Sequence, residues 1–170
     1  MKGLDTMKKI ELSELKFNPW DKLSKEWFLL TSGDMDSWNT MTAGWGFVGV
    51  MWRKNVFNAV VRPTRYTYDF MEKNDLFTVS FYGEECRAAL GFCGSHSGRD
   101  CDKAKETGLT PVAIDGSVTF EQAELTLVCR KIYTQDMDIS LLADDIKPLN
   151  GTDPMHKQYI GEILAAYVKE

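Results

Sequence analysis

Leu76-Phe77-Thr78-Val79-Ser80-Phe81 alternates without a break, placing Phe77, Val79 and Phe81 on one face and Thr78 and Ser80 on the other. A side-chain period of two is the period of a strand, and this one has an apolar side and a polar side. Other short runs read the same way. Trp27-Phe28-Leu29-Leu30-Thr31 is aromatic and aliphatic and stops at Ser32-Gly33-Asp34, as a buried central strand bounded by turn residues does. Residues 55–61 and the long run 124–133, apolar on both sides at its centre, are further strands, and residues 9–12 fit a short one. Residues 158–168 carry enough Ala and Leu for a helix, but Gly161 weakens a helix and the flanking Tyr-Ile and Tyr-Val pairs favour a strand. That segment is predicted to be the closing strand.

Helical signals are few. A short helix is expected after Pro63, another over residues 85–92 with Cys86, Ala89 and Cys93 on one stripe, and a third over residues 102–105, capped by Asp100 and ending near Gly108. Residues 18–26 read as turn and loop, and Thr110-Pro111 opens a linker to residues 118–120. There is no internal repeat. Strands with a few short helices between them predict a mainly β chain folded as an antiparallel barrel.

The length of 170 residues, 44% of them hydrophobic, suits one domain with a substantial core. A net charge of -5 argues against nucleic acid or an anionic membrane as the main partner. Residues 1–9 lack the apolar centre of a signal peptide and no later run is long enough to span a bilayer, so a soluble, cytoplasmic protein is expected. Cys86, Cys93, Cys101 and Cys129 form no Cys-x-x-Cys pair and are expected to be reduced thiols.

Three stretches carry chemistry. In Arg62-Pro63-Thr64-Arg65-Tyr66-Thr67, Pro63 ends the preceding strand and Thr64 is a plausible N-cap, so two guanidinium groups and two hydroxyls gather at a positive helix end. Such a donor cluster suits a phosphate monoester, the bland alternative being a capped surface helix with solvated arginines. Gly44-x-Gly46-x-x-Gly49 matches a dinucleotide fingerprint literally, but no helix fits after it, because residues 56–61 are already the next strand. Those glycines are better read as a β-bend that lets a flat ligand approach. Cys93, His96 and Cys101 match no common zinc spacing, and no metal is expected. His96 is read as a loop residue and His156 receives no role; no residue is assigned to catalysis.

Asn39-Thr40-Met41-Thr42-Ala43, then Arg62-Pro63-Thr64-Arg65-Tyr66-Thr67, then Ser95-His96-Ser97-Gly98-Arg99-Asp100-Cys101-Asp102-Lys103 stand in this order, and together they resemble the flavin reductase-like family, nearest its flavoredoxin branch. The resemblance runs from about Trp27 to the end of the sequence. It implies an FMN-binding split β-barrel of Greek-key type over residues 1–170, with residues 1–26 as an N-terminal extension packed on the barrel, and a homodimer with flavin near the interface. On this reading Arg62, Thr64, Arg65 and Thr67 hold the FMN phosphate, joined by Ser95, Ser97, Gly98 and Arg99 from the second loop. Asn39, Thr40, Met41, Thr42 and Ala43 line the edge of the isoalloxazine, with both Thr40 and Thr42 retained as ligand-facing candidates. Trp45 or Tyr66 covers a ring face, and Lys103 is a cation for phosphate or reduced flavin, or else a solvated helix lysine. The activity implied is an NAD(P)H-dependent flavin or small-acceptor reductase with hydride transfer to flavin N5. An electron carrier without its own NAD(P)H activity is the alternative, and a non-catalytic FMN-binding module is the third reading.

Overall fold

A computed structural model describes residues 7–170. It contains the strands β1 (Met7–Ile10), β2 (Phe28–Asp34), β3 (Ser37–Ala43), β4 (Gly46–Met51), β5 (Lys54–Val61), β6 (Leu76–Phe81), β7 (Pro111–Ile114), β8 (Ser117–Phe120), β9 (Leu125–Asp136) and β10 (Lys157–Lys169). The helices are α1 (Pro19–Asp21), α2 (Tyr66–Lys73), α3 (Arg87–Ser95), α4 (Lys103–Thr107) and α5 (Lys147–Asn150). The main sheet is antiparallel in the order β3-β2-β6-β9-β10-β5-β4, with β1 added against β10. β3 and β4 therefore stand at opposite ends of the order, although only Gly44 and Trp45 separate them in sequence. The sheet has to roll to satisfy both, and β3 and β4 do not pair where they meet: the barrel is split there.

Rolling brings the apolar faces of distant strands together. Phe28 of β2 meets Phe57 of β5 edge-on at 5.3 Å. Phe77, Val79 and Phe81, the alternating face of β6, are fully buried beside Leu127 and Tyr159. Each such side chain contributes roughly 1.5–3 kcal/mol by leaving water. Gly161 has a reason beyond helix avoidance, since a Cβ there would stand 2.5 Å from Phe77 Cζ. Residues 158–168 are strand as expected, with irregular register beside Gly161 and Ile163.

The polar face of β6 is not solvated. Thr78 Oγ1 donates to the Val118 carbonyl at 2.6 Å, and Ser80 Oγ lies 3.0 Å from Thr119 Oγ1, all fully buried. The cover is the hairpin β7–β8, which corrects the linker expected over residues 110–118. Its turn is Asp115-Gly116, both at positive φ (44° and 83°), the conformation a two-residue hairpin loop requires.

Smaller differences follow from hydrogen bonding. β2 continues through Ser32 and Gly33 to a tight turn at Met35-Asp36 instead of stopping at Ser32, and Gly33 sits at φ 112° with Ser37 too close for any Cβ. Residues 18–26 are α1, capped by the Asn18 side chain on Trp20 N–H, followed by one π-helical turn rather than a loop. In the expected N-terminal extension, β1 is a full member of the sheet; residues 1–6 lie outside the described residues. No helix among the described residues is long and apolar enough to cross a membrane. The four cysteines are unpaired, as expected.

Candidate functional site

β5 ends at Val61, and Arg62-Pro63-Thr64-Arg65 forms a turn closed by Arg65 N–H on the Arg62 carbonyl at 3.0 Å. The helix begins one residue later than a Thr64 cap implies: Arg65 is the N-cap, in extended conformation and without a side-chain cap bond. Tyr66 and Thr67 therefore carry first-turn N–H groups without helical acceptors, the positive end of α2. The helix is tied to β3 by Asn39 Nδ2, which donates to the buried Thr67 hydroxyl at 2.8 Å. Arg65 is exposed and makes no side-chain hydrogen bond or ion pair among the described residues.

The facing wall is the end of α3 and the loop leading to α4. Gly98 packs so closely that a Cβ would overlap Asn39 Oδ1 and approach Tyr66 Cδ1 to 3.2 Å, and a Cβ on Gly94 would come within 3.3 Å of Thr42 Cβ. Between the walls is a cleft lined by Asn39, Met41, Thr42, Thr64, Arg65, Tyr66 and Thr67 on one side and by Ser95, His96, Ser97, Gly98 and Lys103 on the other. Lys103 corrects the solvated alternative. It is 6% exposed, and its Nζ donates to the carbonyls of Thr40 and Cys93, each at 2.8 Å. An ammonium has three protons, so one remains for the cleft. Burial lowers the Lys103 pKa, with the Cys93 and Cys101 thiols opposing the shift and the Arg65 charge adding to it. The Cys93 thiol beside it is pushed up to about 11 by burial and is a poor nucleophile.

Met41, Thr42 and Arg65 also line a second, more open depression of about 330 Å³, together with Ala43, Trp45, Arg62 and His156. The two form one groove along β3. Among the described residues β3 is paired only with β2, so alternate N–H and C=O groups on its other edge are unpaired in the sheet. The Thr40 carbonyl, taken by Lys103, is one of them, and by the same alternation Thr42 N–H and C=O project from that edge.

The two threonines separate. Thr40 is 1% exposed, with its hydroxyl on Thr31 Oγ1 at 2.8 Å, and only its carbonyl serves the site; Thr42 lies at the groove with its hydroxyl on the Leu90 carbonyl. Arg62 is at the open end, but its guanidinium donates to Pro154 O at 2.7 Å, Asn150 O at 3.1 Å and Asn150 Oδ1 at 3.3 Å. Its donors hold residues 150–154 in place. Arg99 stands outside the cleft, on Asp69 at 2.9 Å and over the Tyr66 ring at 4.7 Å. Trp45 is more than half exposed and packs on His156 at 5.1 Å. His156, unassigned from sequence, is pushed down to about 4 by burial, with Arg62 and Arg65 adding to the shift, so it is neutral at neutral pH. No cluster of metal-ligating side chains occurs among the described residues.

A family model described as the flavin reductase like domain matches residues 20–170. Among solved structures, flavoredoxin from Methanosarcina acetivorans is similar at 22% identity, over 92% of this chain and 76% of that one, with a TM-score of 0.69. An FMN-binding protein from Thermus thermophilus, solved with 1-cyclohex-2-enone, is similar at 17% identity, over 94% and 79%, with a TM-score of 0.67. Nitrilotriacetate monooxygenase component B from Bacillus cereus is similar at 15% identity, over 95% and 81%, also at 0.67. At these identities the likeness is one of fold, and a further neighbour, from Shewanella frigidimarina, is described as having a split barrel domain. No curated protein matches. With the match covering most of its length and the groove built from the motifs that carry the resemblance, the chain belongs to the flavin reductase-like family.

Proposed function

We propose that the chain binds FMN along this groove and works as an NAD(P)H-dependent reductase of flavin or another small acceptor. The observation that carries the reading is Lys103, a buried ammonium with one proton left, facing the same cleft as the unpaired Arg65 and the N-terminus of α2. Three kinds of positive donor converge there without a protein carboxylate among the lining residues, which is what a phosphate dianion needs. Thr64, Ser95 and Ser97 add hydroxyls, and Gly98 lets the loop close against Asn39 and Tyr66. The donor set fits FMN, with the phosphate at the Lys103 end. The edge of β3, with its N–H and C=O groups at Thr42 unpaired in the sheet, would hold the rim of the ring system, which offers alternating acceptors and donors.

Bound there, FMN would supply the redox chemistry, an acceptor at N5 for hydride from a reduced nicotinamide. The protein's own part is positioning. Lys103 and Arg65 would fix the anionic end. Trp45 and the neutral His156 wall the open end, where Arg62 and Asp153 also stand. The groove stays broad at that end, which supports direct access by nicotinamide.

The electron-carrier reading has one observation in its favour. Trp45, Phe47, Trp52, Leu141 and Leu149 are large apolar side chains at least half exposed, on β4 and at its two ends and on the segment before β10. A surface of that kind serves a protein partner, which a carrier requires, or a second copy, which the homodimer supplies. A cytoplasmic location, consistent with unpaired thiols, belongs to the same reading. The deciding experiment is an anaerobic titration of the FMN-loaded protein with NADPH and NADH, followed by flavin absorbance. Bleaching at stoichiometric nicotinamide supports the reductase. Bleaching only with dithionite supports the carrier, and absence of FMN binding overturns both. Light scattering reads the homodimer in the same preparation.

A further inference from the structure

Two opposite charges at the open end of the groove do not meet. Arg65 and Asp153 both line the depression there, yet they form no ion pair. The Asp153 side chain is 67% exposed, and its contact with Arg62 Nε, at 3.9 Å, is too long for a hydrogen bond. The segment that carries it is lightly held. Between α5 and β10, Gly151, Thr152, Asp153 and Pro154 are all exposed, and none belongs to the apolar face. Among the described residues, Arg62 donates every hydrogen bond that ties residues 150–155 to the sheet. The others are local: Asn150 Nδ2 donates to the Asp153 carbonyl at 3.0 Å, and Gly151 N–H to the Pro148 carbonyl at 3.2 Å. A strap anchored by one side chain opens at small cost, and Gly151, at φ 69°, gives it a joint with wide backbone freedom.

We infer that Asp153 is a built-in competitor for an arriving phosphate. The strap moves between the position held by Arg62 and one that closes across the open end with the Asp153 carboxylate on Arg65, and a phosphate that reaches Arg65 sends it back. Arg65 lines both the depression and the cleft beside Lys103, so strap and ligand can each reach it. Lys103 does not line the depression and is bonded to the Thr40 and Cys93 carbonyls, which leaves Arg65 as the cation the strap can take. A carboxylate fits a guanidinium through two parallel hydrogen bonds, as a phosphate does. Both groups are exposed, so the closed pair is weak and tunes affinity without blocking the site. That the displacing phosphate belongs to FMN rests on the proposed flavin binding. The competition itself does not.

The test compares the full native chain with Asp153→Asn, Arg65→Ala and the double variant. FMN and riboflavin, which lacks the phosphate, are titrated by flavin fluorescence, and inorganic pyrophosphate by calorimetry. Asp153→Asn is expected to bind FMN and pyrophosphate about threefold tighter, the weight of one exposed ion pair, and to leave riboflavin unchanged. In the Arg65→Ala background the gain should vanish. A gain that survives Arg65→Ala means that the Asp153 charge acts on the ligand directly, and it overturns the proposal. So does an equal gain with riboflavin, or an Asp153→Asn variant that binds neither FMN nor pyrophosphate more tightly than the native chain. Asp153 is exposed, so its variant should fold as the native chain does. Failure of FMN to bind, with the Arg65-dependent gain for pyrophosphate intact, refutes the cofactor reading alone.

Discussion

At one end of the groove, buried polar groups hold one another: Lys103 on two carbonyls, Asn39 on Thr67, Gly98 pressed against Asn39. At the other end, apolar side chains stand half exposed around Trp45, and the shape depends on Arg62 holding residues 150–154 from outside. Arg62 and Arg65 make the contrast sharp. They are three residues apart with the same charge, yet one is spent on structure while the other is unpaired at the cleft. A motif tells which side chains are near a site; the free donors tell which can act on a ligand.

Lys103→Met should have the largest effect. It removes the buried ammonium and leaves the Thr40 and Cys93 carbonyls without it, so FMN affinity is expected to fall by about 3 kcal/mol, measured by quenching of flavin fluorescence. A loss below about 1 kcal/mol would break the polar end of the comparison. Arg62→Ala comes next and should act on stability, lowering it by about 2 kcal/mol in urea denaturation because several charge-assisted bonds to one loop are lost together. Arg65→Ala is the converse. It should weaken FMN binding by about 1.5 kcal/mol while stability stays within about 0.5 kcal/mol of the native protein. If the two arginines exchange these phenotypes, the assignment of free and spent donors is reversed.

The smallest expected effect is a pH dependence at the apolar end. His156 has a folded pKa of about 4 against an ordinary 6.5, so below 6.5 the unfolded chain binds a proton that the folded protein refuses. Stability then falls as pH drops from about 6.5 toward 4. After discount for partial solvent access, on the order of 1 kcal/mol is expected, and His156→Gln should lose that much less over the same window.

How much could be read from the chain depended on range in sequence. The strand alternation in β6, the last strand with Gly161, and the three ordered motifs are local patterns, and the fold follows from them. The β7–β8 hairpin is not legible in sequence although Asp115-Gly116 signals its turn, because short runs of mixed polarity resemble a linker until something polar lies beneath them. Thr78 and Ser80 were that something. Arg62 could not be judged at all, since its partners are about 90 residues further along. Lys103 in isolation reads as an ordinary helix lysine; only the fold places Thr40 and Cys93 within its reach.

β10 has a consequence for how the chain reaches this fold. It follows every other strand in sequence, yet it lies inside the sheet, bonded to β5 and β9 and, further along, to β1 at the opposite end of the chain. Until Lys157–Lys169 has left the ribosome, β5 and β9 each expose an unpaired edge, and the apolar interior has no wall where Tyr159 and Ala166 belong. Contacts of such long range close slowly, and the waiting edges are templates for pairing with other chains. During synthesis the chain therefore depends on a holding factor or on rapid completion, and a stop codon anywhere before β10 should give aggregate rather than a smaller barrel.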